Sequence, residues 1–167
     1  MKATDPHADL VEPVVTAVST VMRELLGTEP AVQTVSQPIL QGTLAELSAV
    51  IPLTAAGADG ALVLGCRPAT AAVLAGRLLR EVQQDADPSL VNDSLGEIAN
   101  VIAGQLKALL FGTPYQPQLS PPTISCDAGY VLWPPPGRAC LAVTFSTDAG
   151  EVTVQLFLTS GEGRRAD

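Results

Sequence analysis

Residues 92–110 read NDSLGEIANVIAGQLKALL. At about 100° per residue, Val91, Leu95, Ile98, Ile102, Leu106 and Leu109 fall in one narrow sector, so this stretch reads as an amphipathic helix with an apolar face turned to a core. Asp93, Glu97, Asn100 and Gly104 fall on the opposite side, at intervals of four, three and four residues. That spacing draws them into a line along the helix. Gly96, Ala99 and Ala103 come between the line and the core face. Glu97 and Asn100 should therefore point outward, over a surface kept low by Gly and Ala. A mid-helix glycine such as Gly104 costs about 1 kcal/mol relative to Ala. Two readings are open from spacing alone. One is an ordinary solvated face on which Glu97 pairs with something nearby. The other is a face kept clear for a second molecule to approach.

The rest of the chain supplies the layer on which this helix would pack. Residues 8–26 carry Leu10, Val14, Val18, Val21 and Leu25 at helical spacing, with Pro13 expected in the first turn and Gly27 as the stop. Residues 31–55 are rich in β-branched side chains and broken by Pro38 and Pro52, which predicts strands over 31–36 and 40–54. Asp59-Gly60 is a turn signal before a strand over 61–66. Pro68 opens a second helix of about 14 residues, and QQDADP (83–88) reads as a polar linker. After Gly112, LSPPTIS (119–125) is strand-like, although prolines limit its ladder bonds. DAGYVLWPPPGRA (127–139) reads as a loop whose 133–137 portion is a stiff connection or an exposed docking knob. Residues 140–147 and 151–159 alternate around Asp148-Ala149-Gly150 and predict a hairpin. The order is helix, three strands, two helices, three strands. Such segregation predicts an α+β fold: a largely antiparallel sheet of about six strands with long helices packed on it. A single domain is expected over 8–160, with flexible tails at 1–7 and 161–167.

Composition removes several classes of function. The 167 residues are 47% hydrophobic, enough for a core and against disorder. The net charge is −8, with nine Lys and Arg, so there is no basic face for a phosphate backbone and no nucleic-acid partner is expected. No leader of the signal-peptide type and no long apolar run stand out, which predicts a cytoplasmic protein with no membrane partner. Cys66, Cys126 and Cys140 form no CxxC pair, and three reduced thiols are expected. The one histidine, His7, lies in the polar N-terminal stretch. A metal centre or a His-assisted nucleophile has nothing to be built from, and no phosphate-binding glycine loop is present.

Asp93, Glu97, Asn100 and Gly104, followed by SPPT with Pro122, resemble the helix-and-strand motif of the CheC/CheX/FliY family of chemotaxis phosphatases. The 11–27 segment resembles the first helix of CheX, and 143–158 its closing hairpin. One copy of the motif is present, because Glu12 has no Asn at the matching offset, so the likeness is to the single-site CheX type. The resemblance implies a CheC-like fold, a homodimer, and a phosphorylated CheY-like receiver domain as substrate. It implies that Glu97 and Asn100 are catalytic and that Asp93, Gly96, Gly104 and Pro122 serve docking. It also implies no cofactor of the chain's own, since the receiver brings the phosphoaspartate, a Mg²⁺ ion and a lysine. The departures are the proline-rich loop and a chain rich in Ala, Val and Leu. The alternatives are a receiver-binding or dimerising module of the same fold without catalysis, or an unrelated scaffold with a coincidental ExxN.

Overall fold

The computed structural model describes residues 8–37, 42–55, 58–81, 87–126, 131–132 and 139–158. Both expected tails, His7 and the 133–137 proline run lie outside them. Two-residue alternation builds the sheet. Strand β3 (Leu47–Ala55) buries Leu47, Ala49, Ile51 and Leu53 on one face, β4 (Ala58–Cys66) buries Leu62 and Leu64, β8 (Ala139–Thr147) buries Leu141, Val143 and Phe145, and β9 (Gly150–Leu158) buries Val152, Val154, Leu156 and Leu158. These residues form one core with the inner faces of three helices, α1 (Ala8–Leu26), α2 (Pro68–Leu79) and α3 (Pro88–Leu109). Each fully buried Leu, Ile, Val or Phe contributes about 1.5–3 kcal/mol, the main term holding the two layers together.

Strands β1 (Ala31–Ser36), β5 (Gln118–Leu119) and β6 (Thr123–Ser125) complete a seven-stranded sheet in the order β1-β8-β9-β4-β3-β5, with β6 also on β3. All its pairings are antiparallel. The sheet therefore has seven strands rather than six. Two short strands, β2 (Gly42–Thr43) and β7 (Val131–Leu132), pair apart from it. The α+β class, with helices on an antiparallel sheet, is the observed architecture.

Local differences from the sequence expectations have physical reasons. Strand 40–54 divides into β2 and β3, with a break at residues 44–46. Asp59-Gly60 is not a turn: it lies inside β4, with Gly60 opposite Leu53. A Cβ at Gly60 would run into the Phe157 carbonyl of β9, so the glycine serves close backbone approach. The strand expected over 119–125 is split by Ser120, Pro121 and Pro122 into β5 and β6, both on β3. Val131 and Leu132, expected in a loop, form β7. Pro13, expected in the first turn or so of α1, sits in its second. Helix α2 ends at Leu79, where Arg80 takes a left-handed conformation and the Glu81 N–H closes back on the Gly76 carbonyl at 2.9 Å. The polar linker stops earlier than its composition suggests, because Asp87-Pro88 opens α3. The Asp87 carboxylate accepts from the Ser89 N–H at 2.9 Å as an N-cap, and Pro88 follows in the first turn.

Candidate functional site

Helix α3 is positioned by its inner face. Val91, Leu95, Ile98, Ile102 and Leu106 are buried in the core, as the period requires. Leu109 is a correction: it is 44% exposed, and Leu110, at 2%, closes the core in its place. Regular α-helix ends here, with Leu110 leaving helical geometry and the Phe111 N–H donating to the Ala108 carbonyl, so the 3.6-residue period no longer assigns the inward positions.

On the outer side, Asp93, Glu97, Asn100 and Gly104 are exposed. Among the described residues, the side chains of Asp93, Glu97 and Asn100 make no hydrogen bond or ion pair. Glu97 and Asn100 are three residues apart, so a carboxylate and an amide stand side by side on adjacent turns. A cation lies nearby on the same helix, but the Lys107 ammonium donates to the Gln118 amide oxygen at 3.3 Å.

The small residues beside this line do two different things. A Cβ at Gly104 would meet nothing within 4 Å, so the helix surface is open there. Gly96 is buried instead. A Cβ on it would lie 3.5 Å from both Ile124 Cδ1 and Pro122 Cγ, and Ala99 and Ala103 are buried as well. This corrects the expectation that Gly96 and Ala99 lie open to a docking partner. The β5–β6 connection packs over the helix at Gly96, at a distance that a Cβ would meet in ordinary contact, and this places the exposed Pro122 beside the turn that carries Glu97. Helix and proline thus form one surface, with Glu97 and Asn100 standing out from it. The sequence reading ended the outer line at Gly104. In the structure it continues to the exposed Ala108, the signal being the same i, i+4 spacing carried past the glycine, and the exposed Phe111 follows in the turn directly beyond α3.

Among the described residues, no cluster of three or more His, Cys, Asp or Glu side chains could hold a metal ion, and no helix is long and apolar enough to cross a membrane. The buried Cys66 and the exposed Cys126 are both free thiols. Burial pushes the Cys66 thiol up to about 12, although a backbone hydrogen bond involving Ala71 opposes the shift. An inert core thiol is the result.

An antiparallel sheet with three helices packed on it is the architecture shared with CheC-like proteins of known structure. The family model described as chemotaxis phosphatase CheX matches residues 47–146, which include Glu97, Asn100 and Pro122. The chain belongs to that family. Among solved structures, it is similar to the chemotaxis protein CheX from Desulfovibrio desulfuricans, with a TM-score of 0.74 and 23% identity over 90% of this chain and 99% of that one. It is also similar to CheX from Borrelia burgdorferi, which was solved as a CheX–CheY–BeF3–Mg complex, with a TM-score of 0.66 and 22% identity over 91% and 99% of the two chains. FliY from Thermotoga maritima is more distant, with a TM-score of 0.57 and 15% identity over 97% and 93%. No curated protein matches the chain.

Proposed function

We propose that the protein hydrolyses the phosphoaspartate of a CheY-like receiver domain, with Glu97 docking the receiver and Asn100 orienting the attacking water. The observation that carries this reading is the pair itself. In a member of the CheX family, Glu97 and Asn100 stand exposed on adjacent turns, without a bonding partner among the described residues, on the face of α3 opposite its core side. The Borrelia relative supports the choice of partner, since it was solved with CheY.

The chemistry needs little from the phosphatase. Water oxygen bonds to phosphorus as the bond from phosphorus to the aspartyl oxygen breaks, giving inorganic phosphate and a free carboxylate. An Asn amide both donates and accepts, so Asn100 can hold that water in line with the leaving oxygen. It cannot take the proton, which goes to phosphate oxygen or solvent; the analogy is the glutamine that orients water in a GTPase. The Glu97 carboxylate pairs with a lysine of the receiver and fixes the approach. Asp93 adds negative charge to the same line, Gly104 leaves room, and Pro122 borders the contact, packed over Gly96. The Mg²⁺ of the reaction belongs to the receiver, and the protein brings no cofactor of its own. By the same reading it works as a homodimer, for which sedimentation at micromolar concentration should give twice the chain mass.

The deciding experiment is a paired measurement on receivers phosphorylated by a small phosphodonor. Asn100→Ala should leave affinity for a BeF3-loaded receiver nearly unchanged and slow dephosphorylation at saturation by about 10²-fold or more, ~3 kcal/mol in the barrier. Glu97→Lys should instead weaken binding by several kcal/mol, because it sets two like charges together in the contact. Full turnover by bound Asn100→Ala would remove the water-orienting role and leave a receiver-binding module as the better account.

A further inference from the structure

Phe111 is 78% exposed, more than any other large hydrophobic side chain among the described residues. Single exposed apolar residues are common and need no explanation. This one differs in where it stands and in how firmly it is held.

Its position is just past the outer line of α3. The Leu110 and Phe111 N–H groups still bond back, to the Leu106 carbonyl at 2.9 Å and the Ala108 carbonyl at 3.3 Å. The chain therefore stays tied to the helix past Leu109. At about 100° per residue, Asp93, Glu97, Asn100 and Gly104 lie within about 60° of one another around the axis, and Phe111 follows in the turn directly beyond the end of α3. Eleven residues at 1.5 Å each put Phe111 about 16 Å from Asn100 along the helix. A protein interface of standard size covers about 800 Å² per partner, a patch roughly 32 Å across. Centred on Asn100, such a patch has its rim at about the level of Phe111, and the open surface at Gly104 lies between them.

The backbone around Phe111 is fixed. Leu110 before it is buried, and Gly112 after it takes a left-handed turn at φ +75. The Gly112 N–H donates to the Gln116 amide oxygen at 3.0 Å, and the Thr113 N–H and hydroxyl both donate to the Leu110 carbonyl, at 3.1 and 2.8 Å. The buried Tyr115 anchors the end of this turn. These bonds fix the backbone direction from which the Phe111 ring projects. With the backbone already fixed, only the two side-chain torsions of the aromatic are lost on binding, and aromatics are enriched at interfaces.

We propose that Phe111 is an apolar anchor for the receiver domain, seated against an apolar patch of the receiver about 16 Å from its phosphorylation site. This rests on the reading of Glu97 and Asn100 given above. Phe111 touches no reacting atom; it sets affinity and docking angle.

The test compares wild type, Phe111→Ala, Phe111→Leu and Asn100→Ala on a panel of purified CheY-type receivers phosphorylated by acetyl phosphate. Phe111→Ala should raise KM by about tenfold or more with kcat held within about twofold. Phe111→Leu should recover part of the loss, and the thermal midpoints of both variants should match wild type. An unchanged KM for Phe111→Ala, alongside lost turnover in Asn100→Ala, overturns the anchor and leaves the phosphatase reading intact. A fall in kcat with KM unchanged also overturns it. A shift of Phe111→Ala from dimer to monomer in sedimentation reassigns the residue to a contact between copies of this chain. Absence of turnover by wild type on every receiver overturns both readings together.

Discussion

Two polar clusters on this surface are built on opposite plans. At the tip of the β8–β9 hairpin, Asp148 is held from two sides. The Arg77 guanidinium of α2 donates to both carboxylate oxygens at 2.7 and 2.9 Å, and the Thr28 hydroxyl beyond the end of α1 donates at 2.5 Å. Thr28 is itself buried, and its N–H bonds back to the Met22 carbonyl after Gly27 turns the chain at φ +61. That cluster ties two helices to the sheet, and its charges have a structural task. On α3, by contrast, Asp93, Glu97 and Asn100 have no partner among the described residues. Their helix is held mainly from its other face, with the Lys107–Gln118 bond and Pro122 at its edges. A side chain that holds nothing together can change without loss of fold, so the α3 cluster is free to be shaped by what docks on it.

The sharpest way to break this contrast is to set the two faces of α3 against each other. Ile102, fully buried on the inner face, should cost about 2–5 kcal/mol when cut to Ala, through lost burial and the cavity left behind. Asn100→Ala, two residues earlier, should shift unfolding by no more than about 0.5 kcal/mol. Urea unfolding of the two variants reads both numbers. A loss above about 1 kcal/mol for Asn100→Ala would place it with Asp148 among the structural polar groups.

A smaller effect has the reverse sign. A Cβ at Gly104 meets nothing within 4 Å, so Gly104→Ala should stabilise the protein by about 1 kcal/mol, the difference in helix propensity. A gain in stability together with a raised KM for the receiver would identify the glycine as one kept for access. If stability falls, Gly104 has a role in the fold that the open space around it does not suggest.

The same contrast explains what the sequence could tell. The inner and outer positions of α3 follow from a 3.6-residue period, a property of the helix alone, so Glu97 and Asn100 were legible without a structure. The hairpin of β8 and β9 was legible from its alternation. Gly96 was not, because its burial depends on Pro122 arriving from another element, and period alone cannot supply a neighbour. Asp59-Gly60 misled for a related reason: the glycine answers to the Phe157 backbone across the sheet, not to a local turn. Leu109 and Leu110 exchanged roles where the last turn tightened. The Asp148 cluster joins residues 71 and 120 positions apart in the chain, and no local pattern announces it. The family motif fell on the legible side, since its two polar residues lie within one turn of one helix.

The last and smallest expected effect belongs to the tied cluster. Hydrogen bonds from Arg77, then from Thr28, hold the Asp148 carboxyl down to about 2, against an ordinary value of 3.8. A folded-state value below the unfolded one means that, as pH falls, the unfolded chain takes up this proton first. The contribution to stability is thus complete above about pH 5 and drains away between about pH 4 and pH 2, as the folded carboxyl finally protonates. Arg77 stays charged throughout, so the carboxyl alone sets the window. The pair is exposed to solvent, and screening keeps its effect small and dependent on salt. Asp148→Asn removes the titration while keeping the shape, so its unfolding free energy should follow wild type at a constant offset above about pH 5 and converge with it near pH 2. Added salt should shrink the offset. Parallel acid limbs down to pH 2 would show that Asp148 is no better held in the folded chain than in the unfolded one, and the contrast between the two clusters would fall with it.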